Sequence, residues 1–167
     1  MGSYDNAYCS KLFRLLKLSQ INFVSCPTES IHLQGRFDTY PKRRGLTRVA
    51  EIDRAGMNIC FGQDSIVDPW YPLGNGNILR VLEAGLHICH MLGYEDLQRG
   101  LDLITDNSAR TLNLGERYGL EVGRPANLLV LSAADDYEML RTQGHALLSV
   151  RNGEVLMRRT PAQIKRY

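Results

Sequence analysis

Asp64 stands where a carboxylate can be put to chemical use. The apolar run Asn58-Ile59-Cys60-Phe61 ends at Gly62, the acid follows Gln63, and Pro69 and Pro72 stiffen the loop beyond it. A buried parallel strand that delivers one carboxylate to the carboxyl-end face of an α/β sheet has this form, and such folds place their chemistry on that face. An acid after a strand also serves as a turn former or helix cap, and the pattern alone leans toward that plainer role. His87 and His90, three residues apart, could share a metal in principle, but no third ligand lies near them. A half-buried ring at His90 and an exposed one at His87 is the better reading. Cys9, Cys26, Cys60 and Cys89 are widely spaced without a CxxC pair, so they form neither a zinc knuckle nor a disulfide framework. Reduced, mostly buried thiols in a cytoplasmic protein are expected.

The elements that must position Asp64 follow from periodicity and breakers. Leu12, Phe13, Leu15, Leu16 and Leu18 give one apolar side to a helix over residues 6–19. A strand over residues 21–25 stops at Cys26-Pro27, because proline cannot continue a central ladder. Residues 28–46 read as a long loop; its Ile31, Leu33, Phe37 and Tyr40 imply that it is ordered over something. Thr47 is expected to cap a helix over residues 48–55, which Gly56 ends. The strand over residues 57–61 completes a β-loop-α-β-loop-α order, which implies parallel strands with crossover helices.

Ile78, Leu79, Leu82, Leu86 and Cys89 repeat at helical spacing over residues 77–92, and two short helices are expected over 95–104 and 107–114. The character then changes. A Gly- and Pro-rich approach from Gly119 leads to a strand over 128–131, and residues 146–157 read as a hairpin turned at Asn152-Gly153. The tail 158–167 is polar and reads as loose.

The 167 residues suit one domain by length, and a 44% apolar fraction excludes general disorder. A net charge of +2 gives no electrostatic case for nucleic acid or an anionic membrane. No apolar segment approaches the ~20 residues needed to span a bilayer, and the first residues lack the form of a signal peptide. A cytoplasmic location is the expectation.

Three blocks carry a family resemblance: Lys11-Leu12-Phe13-Arg14-Leu15-Leu16-Lys17, the run from Ile31-His32-Leu33-Gln34-Gly35-Arg36 to Gly45, and Asp68-Pro69-Trp70-Tyr71-Pro72-Leu73-Gly74. With them, the chain from Tyr4 to about Asn113 resembles the C-terminal part of the bacterial cytosine deaminases of the amidohydrolase superfamily. The resemblance implies an α/β fold: the last two strand–helix units of a (β/α)8 TIM barrel within residues 1–118, and part of a small β-sandwich domain within 119–157. It also implies roles. Asp64 would be the metal-binding aspartate ending the eighth strand and would accept the proton of the attacking water. Trp70 would help enclose the substrate, and His32, Gln34 and Arg36 would sit on a loop closing the pocket. A divalent metal, Fe or Zn, would serve the complete enzyme. The family's remaining histidine ligands and glutamate proton shuttle have no counterpart here, so the chain by itself is expected to bind no metal.

Two departures bear on the site. The family commonly has His-Asp-Asp where this chain has Gln63-Asp64-Ser65, so Ser65 removes a charge and shortens a pocket-lining side chain. The segment Cys26-Pro27-Thr28-Glu29-Ser30 also differs from the usual one. Three functions are open at this stage. The first is the C-terminal part of a cytosine-deaminase-like hydrolase, inactive as this chain alone. The second is a non-catalytic remnant or interaction module, and the third an amidohydrolase of another cyclic amide or amidine. The partners expected are a cytosine-like small molecule and either an N-terminal partner segment or a second copy, with neither nucleic acid nor membrane. Without the rest of a barrel, Phe23, Val24, Ile59 and Phe61 would all lose cover.

Overall fold

Two short strands at the centre of the first half of the chain carry the candidate acid, and the surrounding helices follow from how those strands must be covered. The computed structural model describes residues 2–163 and 165. It divides into two compact units, residues 1–113 and 114–167.

In the first unit, helix α1 (Asn6–Leu18) starts where the Asp5 carboxylate accepts the Tyr8 amide, which satisfies an otherwise orphaned donor. Strand β1 (Phe23–Ser25) is followed at once by helix α2 (Pro27–Leu33). This corrects the sequence reading of residues 28–46 as loop throughout. Pro27 ends the strand but also occupies the first helical turn, where its missing N–H costs nothing and its fixed φ suits a helix. Helix α3 (Val49–Arg54) has Arg48 at its N-cap with no side-chain cap bond, so Thr47 does not cap it. Gly56, at φ 71°, takes the left-handed position after the C-cap Ala55, as its type suggests.

Strand β2 (Ile59–Phe61) pairs parallel with β1, Phe23 opposite Ile59 and Ser25 opposite Phe61. Helix α4 (Ile78–Ile88) begins at Asn77, whose side chain accepts the Leu79 amide. Helix α5 (Tyr94–Arg99) runs into a 3-10 turn (Gly100–Leu103), and helix α6 (Asp106–Thr111) closes the unit. The α4 and α6 helices pack on β2. Gly85 is where α4 comes closest, since a Cβ there would stand 2.7 Å from the Phe61 ring.

That packing corrects part of the expected exposure. Ile59 is 0% exposed and Phe61 is buried with it, while Val24 on β1 is 56% exposed. Fully covering one large apolar side chain is worth about 1.5–3 kcal/mol, so β2 gains burial that β1 does not. The chain covers one strand of the pair and leaves the other half open.

The second unit is an antiparallel sheet of β3 (Leu128–Leu131), β4 (Ala146–Arg151) and β5 (Glu154–Arg158) in that order. Asn152 and Gly153 both have positive φ, 50° and 83°, the form the Asn-Gly signal implies for a two-residue hairpin turn. Helix α7 (Asp136–Thr142), absent from the sequence reading, lies between β3 and β4. Its signal was present in Asp135, whose carboxylate caps the Glu138 amide, with acids in the first turn. No helix among the described residues is long and apolar enough to cross a membrane.

Candidate active site

The carboxyl ends of β1 and β2 lie side by side, and the Gly62 amide extends the ladder by donating to the Ser25 carbonyl at 2.9 Å. Immediately beyond, the chain turns back within three residues. The Ser65 amide donates to the Gln63 carbonyl at 3.0 Å across Asp64, which sits at φ 65°. This is the left-handed form of the γ-turn, the rarer and more strained of the two. Aspartate tolerates a positive φ better than most residues, but such strain persists only where the surroundings fix it.

Two side-chain bonds do the fixing. Ser65 Oγ donates to Glu29 Oε2 at 2.7 Å, and Gln63 Nε2 donates to Thr28 Oγ1 at 3.4 Å. Both acceptors belong to the first turn of α2, directly after β1. Glu29 is 6% exposed and Ser65 7%. The loop beyond folds back as well. The Val67 amide reaches the Gly74 carbonyl at 3.1 Å, and a Cβ at Gly74 would stand 2.1 Å from the Ser65 carbonyl oxygen, so only glycine fits there.

Asp64 itself is exposed, and no hydrogen bond engages its carboxylate among the described residues. The acid therefore caps no helix, but it does sit at the centre of a turn, which is one of the plainer roles the pattern allowed. It borders a cleft of about 850 Å³ with Val24, Ser25, Cys26, Gln34 and Arg43. Ser25 Oγ, buried at the end of β1, has no hydrogen-bond partner among the described residues. The Cys26 thiol is pushed up to about 11, by burial first and then by the charges of Asp64 and Glu29. Arg43 forms a two-pronged ion pair with Asp38, at 2.5 and 3.0 Å, and Arg44 donates to the Ile31 carbonyl at 3.3 Å. These contacts pin the chain that forms the far wall.

Of the residues singled out from the sequence, Asp64 and Gln34 meet at this cleft. Ser65 lies buried next to Asp64 and turns toward Glu29. His32 and Arg36 are exposed and do not line the cleft, and the Arg36 guanidinium lies 4.6 Å over the Phe37 ring. Trp70 is 58% exposed, also outside the cleft lining. Its amide and that of Tyr71 donate to Asp68 Oδ1, at 3.0 and 2.8 Å. The Tyr71 amide above all, and with it the Trp70 amide, holds the Asp68 carboxyl below its ordinary range. The single Ser65 proton can serve one carboxylate at a time, and at 2.7 Å it goes to Glu29.

His87 and His90 are both exposed, and His90 falls beyond the end of α4 with φ 56°, so its ring is not half-buried as expected. Among the described residues, no three of His, Cys, Asp and Glu converge to hold a metal. Zinc or iron needs three or four protein donors, and the cleft offers Asp64 as one. Sequence reasoning missed Glu29, Thr28 and Ser25. The signal for the first two was the polar Thr28-Glu29 pair placed directly behind a strand-ending proline.

Comparison with known proteins places these features in context. The model of the amidohydrolase family described as Amidohydro_3 matches residues 2–157. A crystal structure of 5-methylcytosine deaminase from Klebsiella pneumoniae liganded with 5-fluorocytosine superposes with a TM-score of 0.96 at 72% identity, covering 99% of this chain and 40% of that one. An N-isopropylammelide isopropyl amidohydrolase of a Pseudomonas species is 28% identical over 86% of this chain and 32% of its own length. A pterin deaminase of Rhizobium rhizogenes is 27% identical over 96% of this chain and 37% of its own. The chain therefore spans about a third of the length of these curated relatives. The α/β fold is that of the deaminase, as the sequence resemblance implied.

Proposed function

Because the chain belongs to the amidohydrolase family, we propose that it is the C-terminal part of a metal-dependent hydrolase that deaminates a cytosine ring, with 5-methylcytosine as its substrate. In this reading β1 and β2 are the last two strands of a (β/α)8 barrel, and the three-stranded sheet is part of the small β domain. The observation that carries it is 72% identity across 99% of the chain to a 5-methylcytosine deaminase. The free Asp64 carboxylate at the carboxyl end of β2 supports it.

The chemistry replaces a ring C–N bond to the exocyclic amine with a C–O bond from water, and ammonia leaves. Asp64 serves as the base that takes a proton from the attacking water, a role that needs a carboxylate open to the cleft. Iron or zinc would bring the pKa of water toward neutrality, held by Asp64 together with donors this chain does not contribute. Ser65 in place of a second aspartate removes a charge beside Asp64. The exposed apolar side of β1 is where the remaining strands would cover Val24, so the chain by itself is inactive.

The test is a hybrid in which these residues replace the matching 40% of the Klebsiella enzyme. The hybrid, loaded with Fe²⁺ or Zn²⁺, should release ammonia from 5-methylcytosine faster than from cytosine, and the chain alone should release none. A folded, metal-loaded hybrid that turns over neither would overturn the reading. One that prefers cytosine would overturn the substrate.

A further inference from the structure

The strained turn that presents Asp64 has a specific cause in this fold. Both residues flanking Asp64 are tied by their side chains to consecutive residues of the first turn of α2, Ser65 to Glu29 and Gln63 to Thr28. The Ser65 bond is short, at 2.7 Å, and buried, while the Gln63 bond is longer, at 3.4 Å, and half-buried. Glu29 has no ion-pair partner among the described residues, and Ser65 is the group that bonds its carboxylate. A buried carboxylate without a cation is costly, and an apolar side chain would cover the same spot at less cost. Helix stability does not explain it either, because an acid in the first turn gains only modestly from the helix dipole. What Glu29 does that an apolar residue could not is accept the Ser65 proton and hold the outgoing shoulder of the turn.

The neighbours agree. Cys26 is the N-cap of α2, three residues before Glu29, and lines the same cleft as Asp64. A Cβ at Gly74 would run into the Ser65 carbonyl oxygen, so the loop beyond the turn packs closely on Ser65. We propose that Glu29 is a positioning residue: by accepting the Ser65 hydroxyl it locks the left-handed turn at Asp64 and aims that carboxylate into the cleft. Ser65 is then a structural link to α2. This rests on the reading of Asp64 as the working acid, but its test needs no turnover.

Amide hydrogen exchange on the whole chain reads the turn directly, since the Ser65 amide closes it onto Gln63. Glu29→Ala should speed exchange over residues 63–66 by about tenfold or more, the size expected for losing a hydrogen bond to a charged group, while β2 keeps its protection. Glu29→Gln keeps an acceptor for Ser65 and should restore most of the protection. Should Glu29→Ala fail to fold, Ser65→Ala removes the same bond from its other end and should open the same four residues. Unchanged exchange over 63–66 would overturn the proposal. So would a rise of equal size in β2, which would make Glu29 a core residue only, or a Glu29→Gln chain as open as Glu29→Ala. An inactive hybrid with this exchange pattern would leave the clamp standing and remove only its purpose.

Discussion

The two strands that lead to the site are unequal. All three residues of β2 are buried, covered by α4 and α6. Its entry is fastened as well: Asn58 Nδ2 donates to the Asn107 carbonyl and to Thr111 Oγ1, at 3.1 and 2.9 Å. β1 has the same length and a matching register, yet Val24 is more than half exposed and Ile21 before it is exposed as well. Asp64 leaves from the covered strand, and its clamp comes from the helix that follows the open one. The acid is thus carried by the well-covered strand, and the groups that fix its turn by the helix after the open one.

That contrast can be broken by substitution. Ile59→Ala should cost about 2–5 kcal/mol, because it empties a fully enclosed position, and a thermal melt should fall steeply. The same truncation at Val24 should stay within about 0.5 kcal/mol, as for other exposed sites. Equal losses at the two positions would erase the distinction between the strands. A smaller effect is expected at the contact between α4 and β2. Gly85→Ala puts a methyl group against the Phe61 ring and should cost about 1–3 kcal/mol by overpacking. A melt unchanged by that substitution would mean α4 is free to move off the strand.

The thiols sharpen the picture at finer scale. Burial pushes Cys89 up to about 12, and burial with the two nearby acids pushes Cys26 to about 11. An unfolded cysteine ionises near ~8.5. Below that pH both states keep the proton and stability is unaffected. Between about 8.5 and the folded values the unfolded chain gives up its protons first, so stability falls as pH rises. Alkylation of Cys26, followed by mass spectrometry against pH, should therefore turn on near 11. A turn-on near 8.5 would place the thiol in water and away from Asp64.

How much of this was legible in the sequence depended on whether the controlling interaction was local. The parallel pair, α4 and the Asn152-Gly153 hairpin could be read, because apolar periodicity and turn chemistry act within a few residues. The α2 helix could not, because Pro27 signals a break whether it ends a strand or begins a helix, and seven residues give too short a period to decide. The position of Asp64 was readable from the strand before it, but its strain was not. The Ser65–Glu29 bond joins residues 36 apart, and nothing in either segment names the other. The 58% exposure of Trp70 was equally hidden, since the loop's hydrogen bonds to Asp68 are not visible in its composition.

The account stands most directly on Asp64 being a free, working carboxylate rather than part of the scaffold. The measurement is turnover of 5-methylcytosine by the hybrid enzyme carrying Asp64→Asn, alongside its thermal melt. Since no hydrogen bond among the described residues holds this side chain, the melting temperature should stay within a few degrees of the parent. The rate should fall by about 10²–10⁴-fold, the contribution of a positioned proton acceptor. A rate preserved in the Asn variant, or a loss of rate that merely follows a loss of folding, would contradict it.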